Sequence, residues 1–300
     1  MERNTYLSIA AGAGVATVFA LLGFFSFRDG GRFMGWVIFI AGPAVVGFSV
    51  GFIARSGKRA TATLGLTLIA TSVVLLATKA EGTLCIAMAM PLILAGVGTG
   101  AWVGDFVRKR WIDKGQGGAF LKWLLLAALP LGLMGAYKVE TPFRRETRVE
   151  SVDTQMFYRA SPQRVWDRLK AVERIDAAKP LLMRIGLPQP IRCELQRGAI
   201  GGKRICIFNN GVIEEEITQW IPPERMGMRI TRVTLPGRHW LGFQEAVYQL
   251  KPSGEGTIVH RTTTITSHLY PAWYWRGLER WGVRTEHRYL FEGVRKTLGS

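Results

Sequence analysis

The chain has 300 residues, 48% of them hydrophobic, with 39 Lys/Arg against 22 Asp/Glu and a formal net charge of +17 at pH 7. The basic residues are scattered among acids, without a long Lys/Arg block or an aromatic-basic ribonucleoprotein motif, which argues against nucleic acid as a partner. Three cysteines build neither a disulfide framework nor a four-ligand zinc site.

These averages conceal a division near residue 140. Five apolar runs come first, at about 6–27, 33–54, 60–78, 84–106 and 120–137. At 1.5 Å per residue each is long enough to cross about 30 Å of hydrocarbon. The first run follows a charged start, but it is too long for a signal-peptide core and other runs follow it, so it reads as a retained first span. Residues 1–140 are therefore expected to be a multi-pass helical bundle in the cell membrane. Arg55, Lys58, Arg59 and Arg108, Lys109, Arg110, Lys114 in the second and fourth connections outnumber Arg28, Arg32 and Lys79 in the first and third. That bias places the C-terminal domain outside the cytoplasm. Lys138, Arg144, Arg145 and Arg148 after the fifth run nearly cancel it, so the side is only weakly specified. No run carries a central carboxylate, His or Arg, which argues against a pump or channel. Gly47/Gly51 and Gly96/Gly100/Gly104 allow close helix approach; packing within the bundle is the expected use and homodimerisation the alternative. Pro43, Pro91 and Pro130 are expected to kink three runs.

After Arg145 the periodicity changes. A strand-like stretch, about 147–159, leads into SPQRVWDRLKAVERI, where Ser161 suits a helix cap, Pro162 the first turn, and Val165, Trp166 and Leu169 an apolar stripe. A shorter helical stretch, AAKPLLMRIGL, follows. Six extended segments from Ile191 come next, and a long helix starting near Pro271 closes the chain. The order gives an α+β domain over 141–300, with a curved antiparallel sheet wrapped on a long C-terminal helix.

SPQRVWDRL, the hairpin GGKRICIFNNGVIEEEITQW with PPERMGMRI, and GEGTIVHRTTTITSHLYPAWYW, in that order, resemble the START, polyketide-cyclase/dehydrase and plant-allergen superfamily (SRPBCC, or helix-grip). The resemblance covers about 147–298 and none of the apolar runs. It implies a deep apolar cavity between sheet and long helix. It carries over no catalytic residue, because no motif here matches an enzymatic branch.

With Asn210-Gly211 as a two-residue loop, Phe208 faces Ile213, Cys206 faces Glu215 and Arg204 faces Ile217. One sheet face then holds Arg204, Cys206, Phe208, Ile213, Glu215 and Ile217. If that face lines the cavity, Glu215 with Arg204 diagonal to it is a polar anchor for a ligand. If it faces water, the two make a surface ion pair, and the wet face is marginally favoured. Cys193 and Cys206 lie symmetrically about the Ala199–Gly202 turn; free thiols are the default, and a disulfide requires an extracytoplasmic domain. His287 shares a helix stripe with Val283, Leu290, Phe291, Val294 and Leu298. It reads first as a satisfied core histidine, with ligand contact or acid–base work as the alternative. His239, His260 and His268 show no metal-ligand spacing, and neither metal nor cofactor is assigned. Trp273, Tyr274, Trp275, Arg276 and Trp281, with Arg280 and Arg284, suit a membrane interface, against the simpler reading that the rings pack the helix on the sheet.

The expected function is non-catalytic: a membrane-anchored domain that binds a hydrophobic small molecule or lipid. One alternative is a cyclase, dehydrase or hydrolase acting on a membrane-derived or polyketide-like substrate. The other is a structural or assembly protein whose interior is plugged by Trp166, Phe208 and Trp281.

Overall fold

The computed structural model describes residues 9–10, 12–14, 16–18, 20–21, 35–54, 56–78, 82–112, 119–140, 147–235 and 240–299. The chain divides into one unit of Met1–Glu146 with His268–Pro271 and another of Thr147–Ser267 with Ala272–Ser300.

The first unit is helical: α1 (Val37–Ile53), α2 (Gly57–Ala77), α3 (Thr83–Val107) and α4 (Ala119–Glu140). α1 opens with a π-helical turn, Val37–Ala41, and Pro43 sits in the first turn of the α-helical part that follows. Ser56, in extended conformation, caps α2 by accepting from the Arg59 backbone N–H at 3.3 Å. The buried Glu140 carboxylate at the end of α4 accepts from the Val37 N–H at 3.2 Å, supplying an acceptor to the positive end of α1.

Of the five expected membrane spans, two are supported by the structure. Among the described residues two helices, Gly57–Ala77 and Thr83–Trp111, are long and apolar enough to cross a membrane. The run at 33–54 yields only the shorter apolar helix Val37–Ile53. The run at 6–27 lies largely outside the described residues, as do many side chains of the helix over 120–137.

The small-residue faces of α1 and α3 meet each other. A Cβ on Gly100 would lie 2.0 Å from the Ala44 carbonyl oxygen, one on Gly47 2.1 Å from that of Val97, and one on Gly51 2.2 Å from that of Ala101. The surface suggested for homodimerisation is thus occupied within the chain. Only a missing side chain permits this backbone approach.

The second unit contains β1 (Arg148–Tyr158), α5 (Pro162–Lys170), α6 (Leu181–Arg184), β2 (Pro190–Leu195), β3 (Lys203–Phe208), β4 (Gly211–Ile221), β5 (Arg225–Val233), β6 (Leu241–Ser253), β7 (Gly256–Ser267) and α7 (Ala272–Leu298). The strands form one antiparallel sheet in the order β1-β7-β6-β5-β4-β3-β2. A meander from β2 to β7 is therefore completed by the chain's first strand, and with the long α7 this fits the helix-grip arrangement. α5 begins at Pro162 and buries Val165, Trp166 and Leu169; Trp166 meets Trp220 edge-on, ring centroids 5.0 Å apart.

The β3–β4 loop is Asn209-Asn210, not Asn210-Gly211, so Arg204 stands directly opposite Glu215, Cys206 opposite Ile213 and Phe208 opposite Gly211. Asn209 is tied back to Gln189 by two hydrogen bonds, its N–H donating at 3.0 Å and its Oδ1 accepting at 2.9 Å. Gly211 serves close approach: a Cβ there would lie 2.9 Å from Thr234 Oγ1, which accepts from the Val212 N–H at 2.9 Å. The slip moves the register by a whole rung, so the same six residues still share a face.

Gly100→Leu is expected to force α1 and α3 apart and to cost on the order of 3 kcal/mol, because backbone atoms cannot rotate away from the new side chain. Gly98→Leu, where an added Cβ meets nothing within 4 Å, is the control. Thermal unfolding of the full chain in mild detergent should separate the two variants by several degrees.

Candidate functional site

Alternation along the strands decides which side chains enter the interior of the second unit. On β3 and β4 it buries Arg204, Cys206, Phe208, Ile213, Glu215 and Ile217. The shared face is the inner one, which overturns the wet-face reading of Arg204 and Glu215. Arg204 Nη1 donates to Glu215 Oε2 at 2.5 Å, and the same guanidinium reaches the carbonyls of Lys170 at 3.2 Å and Leu169 at 3.4 Å at the end of α5. Burial works against the Arg204 charge, but Glu215 beside it outweighs burial and raises its pKa.

A second polar group lies across the sheet. Met226 of β5, Tyr248 of β6, Arg261 of β7 and Thr154 of β1 form one rung. Arg261 donates to Glu286 of α7, with oxygens at 3.2 and 3.0 Å, and its guanidinium carbon lies 5.2 Å from the Tyr248 ring centroid. Burial raises the Tyr248 pKa, while Arg261 and Arg204 both pull it the other way, so this phenol is within electrostatic reach of both ion pairs. Its hydroxyl and Arg261 Nε are buried without a hydrogen-bond partner among the described residues.

His287 completes this belt. One ring nitrogen is 2.8 Å from Thr263 Oγ1 and the other 3.0 Å from Thr154 Oγ1. Burial, with the charges of Arg261 and Arg284, drives its pKa well below 6.5, so the ring is neutral at pH 7. The belt separates the large apolar cluster containing Trp166, Phe208, Met226, Met228 and Phe291 from a smaller one of Val152, Ile265 and Val283.

Beyond the smaller cluster, Arg148 of β1 bonds both Glu279 oxygens, at 2.9 and 2.7 Å, and Glu150 at 2.7 Å; Ser267 also donates to Glu279. Burial raises the Glu279 pKa. For Glu150 burial pushes upward too, but hydrogen bonds and charge from Arg276 and Arg148 leave the pKa lowered.

Cys193 and Cys206, opposite each other on β2 and β3, are joined in a disulfide, contrary to the expectation of two free thiols. Both point inward, so direct cross-strand opposition brings the sulfurs together. Trp166 and Phe208 are buried in the core, whereas Trp281 is 50% exposed and plugs nothing. Of the residues read as interfacial, Trp273 is 76% exposed and Trp275 is buried. Arg276 is exposed yet donates to Glu150 at 2.6 Å, and Tyr274 stands edge-on between Trp273 and Trp275. Among the described residues no cluster of three or more His, Cys, Asp or Glu could hold a metal ion; His239 lies outside them. Sequence reasoning missed Tyr248, Arg261 and Glu286. Their available signal was strand parity: Arg261 is two residues from Val259 and four from Ile265, both buried.

Glu215→Ala strands a buried guanidinium and is expected to cost about 3–5 kcal/mol, whereas Arg204→Met with Glu215→Leu should recover much of that loss. Denaturant midpoints of the two variants check it. His287 takes up a proton in the unfolded chain below about pH 6.5 but not when folded. Its contribution is full above that pH and is lost as pH falls toward the folded pKa, at up to about 1.4 kcal/mol per pH unit. His287→Gln should flatten the slope between pH 6.5 and pH 5, above the range where Glu150 titrates, as read by denaturant midpoints across pH.

Solved structures similar to the chain include protein MLL2253 from Mesorhizobium loti, at 15% identity and a TM-score of 0.33, covering 50% of this chain and 97% of that one. The Aha1 dimer from Colwellia psychrerythraea is similar at 16% identity and a TM-score of 0.31, covering 49% and 98%. No curated protein matches the chain. Residues 150–300, which hold the whole polar belt, match the family described as polyketide cyclase / dehydrase and lipid transport, and the chain belongs to that family.

Proposed function

We propose that the second unit binds a hydrophobic small molecule or lipid between its sheet and α7, and that the first unit anchors it in a cell membrane. The observation that carries this reading is the Tyr248 hydroxyl, buried in the domain that holds the large apolar cluster and without a hydrogen-bond partner among the described residues. A buried phenol left unsatisfied costs about 1–3 kcal/mol, a cost that a ligand oxygen at this point removes. Apolar surroundings with a few convergent polar groups are the usual make-up of a small-molecule site.

Partitioning of the apolar body into the large cluster provides affinity, and Phe208 and the Cys193–Cys206 bridge contribute to that wall. Tyr248 and Arg261 supply the polar contact. Arg204 and Glu215 satisfy each other and fix the strand that carries Phe208, and His287, bonded through both nitrogens, holds α7 in place. No carboxylate or imidazole of the belt is left poised for proton transfer, which favours binding over turnover. The apolar helices α2 and Thr83–Trp111 support membrane anchoring. The disulfide supports an extracytoplasmic domain.

Native mass spectrometry of the full chain in mild detergent is expected to show one hydrophobic molecule per protein. Tyr248→Phe, isosteric but for the hydroxyl, should keep the fold and lower occupancy roughly tenfold, the equivalent of about 1.4 kcal/mol. A wild-type protein that is empty after extraction from membranes would overturn the proposal.

A further inference from the structure

We infer that the outward face of α7 is a docking surface for an anionic lipid bilayer. At 100° per residue, Trp273, Arg276, Arg280, Trp281, Arg284 and Arg288 fall within an arc of about 140° and along about 22 Å of helix. All six are exposed, and no acidic residue shares the arc. The opposite face, with Trp275, Glu279, Gly282 and Tyr289, is buried, and the buried His287 falls inside the arc near its Arg276 edge. The outer stripe is therefore neither core packing nor the usual mixed-charge surface of a solvated helix.

Charge decides the occupant. Glu150, only 8% exposed at its side chain, accepts from Arg276 Nε at 2.6 Å and Arg280 Nε at 3.2 Å. Both arginines stay about half exposed and meet Glu150 through Nε. Arg284 and Arg288 have no ion pair among the described residues. Counting the nearby Arg148–Glu279 pair, the patch holds five arginines against two carboxylates, so it keeps a positive excess after internal pairing. Two large amphipathic rings interleaved with arginines match the layered chemistry of a headgroup region, where indoles sit at the carbonyl level and guanidinium groups meet phosphate. A protein partner would more usually require a desolvated apolar centre, and here arginines separate the two rings.

The test uses the full chain reconstituted into vesicles of phosphatidylcholine alone or mixed with phosphatidylglycerol. Both sets include phosphatidylcholine brominated at shallow acyl positions, which quenches only fluorophores at headgroup depth. Wild-type protein should lose more tryptophan emission than Trp273→Phe with Trp281→Phe, and this difference should appear with phosphatidylglycerol and fall in high salt. Arg284→Gln with Arg288→Gln should abolish it while leaving the unfolding midpoint in detergent unchanged, because both side chains are exposed. Equal quenching of wild type and the double tryptophan variant would overturn the inference and leave the face free for a protein partner. A difference indifferent to phosphatidylglycerol and salt would overturn its anionic-lipid assignment. Neither outcome bears on occupancy of the interior, which Tyr248→Phe reports.

Discussion

Two arginines inside an apolar domain are the constraint around which the second unit is arranged. A guanidinium does not shed its proton on burial, so each must carry its counter-charge with it. Arg204 finds Glu215 on the neighbouring strand, and Arg261 finds Glu286 on the helix. The first pair fixes the β3–β4 register and the second fixes how α7 lies on β7. Cys206 adds to the first: β3 is tied on one side by its disulfide to β2 and on the other by Arg204 to β4. The Asn209-Asn210 loop is compatible with that register because Gln189 holds Asn209 from β2.

Pairing also shapes what the interior can accept. Both arginines are neutralised by their own carboxylates, so a ligand with a full negative charge gains no unpaired cation, while a neutral oxygen gains the Tyr248 hydroxyl and Arg261 Nε as donors. The belt lies between a large apolar cluster and a small one. A molecule bound there would place its apolar body on the large side and its oxygen at the rung of Tyr248 and Arg261. That is the polarity of a lipid-like or carbonyl-bearing molecule, not of a pure hydrocarbon.

The order of elements in the second unit was legible in the sequence because strand alternation, the Ser161-Pro162 helix start and the long amphipathic tail are local signals. Parity placed Arg204, Cys206, Phe208 and Glu215 on one face even though the loop was misplaced by a residue, since a whole-rung slip preserves facing. Which face lay inward was not legible: Glu214-Glu215-Glu216 gives carboxylates to both sides, and only the sheet's closure over α7 selects the middle one. The disulfide was missed for a similar reason, as opposition of Cys193 and Cys206 depends on a register that local sequence leaves open. Tyr248 and Arg261 were invisible as a site because their proximity crosses two strands, and the missing partner of a hydroxyl is a property of the packed interior alone. Apolar run length, conversely, overstated one helix: Val37–Ile53 is shorter than the run that suggested it.

α7 joins these properties in one element. Its inner stripe carries Glu279, Glu286 and His287, each held by partners on β1 or β7. Arg276 and Arg280 on its outer stripe reach back to Glu150 on β1, itself bonded to Arg148, the arginine that holds Glu279. The Arg148–Glu150–Glu279 cluster therefore links the outward arginines to the helix's seat on the sheet. A phosphate drawing Arg276 or Arg280 outward would weaken its bond to Glu150, and Glu150 would then lean more on Arg148, at the expense of Glu279. Because Glu279 is buried and its pKa is raised, it is the carboxylate of the cluster least able to stand alone. The outer stripe and the seat of the first turns of α7 on β1 thus share one charge cluster.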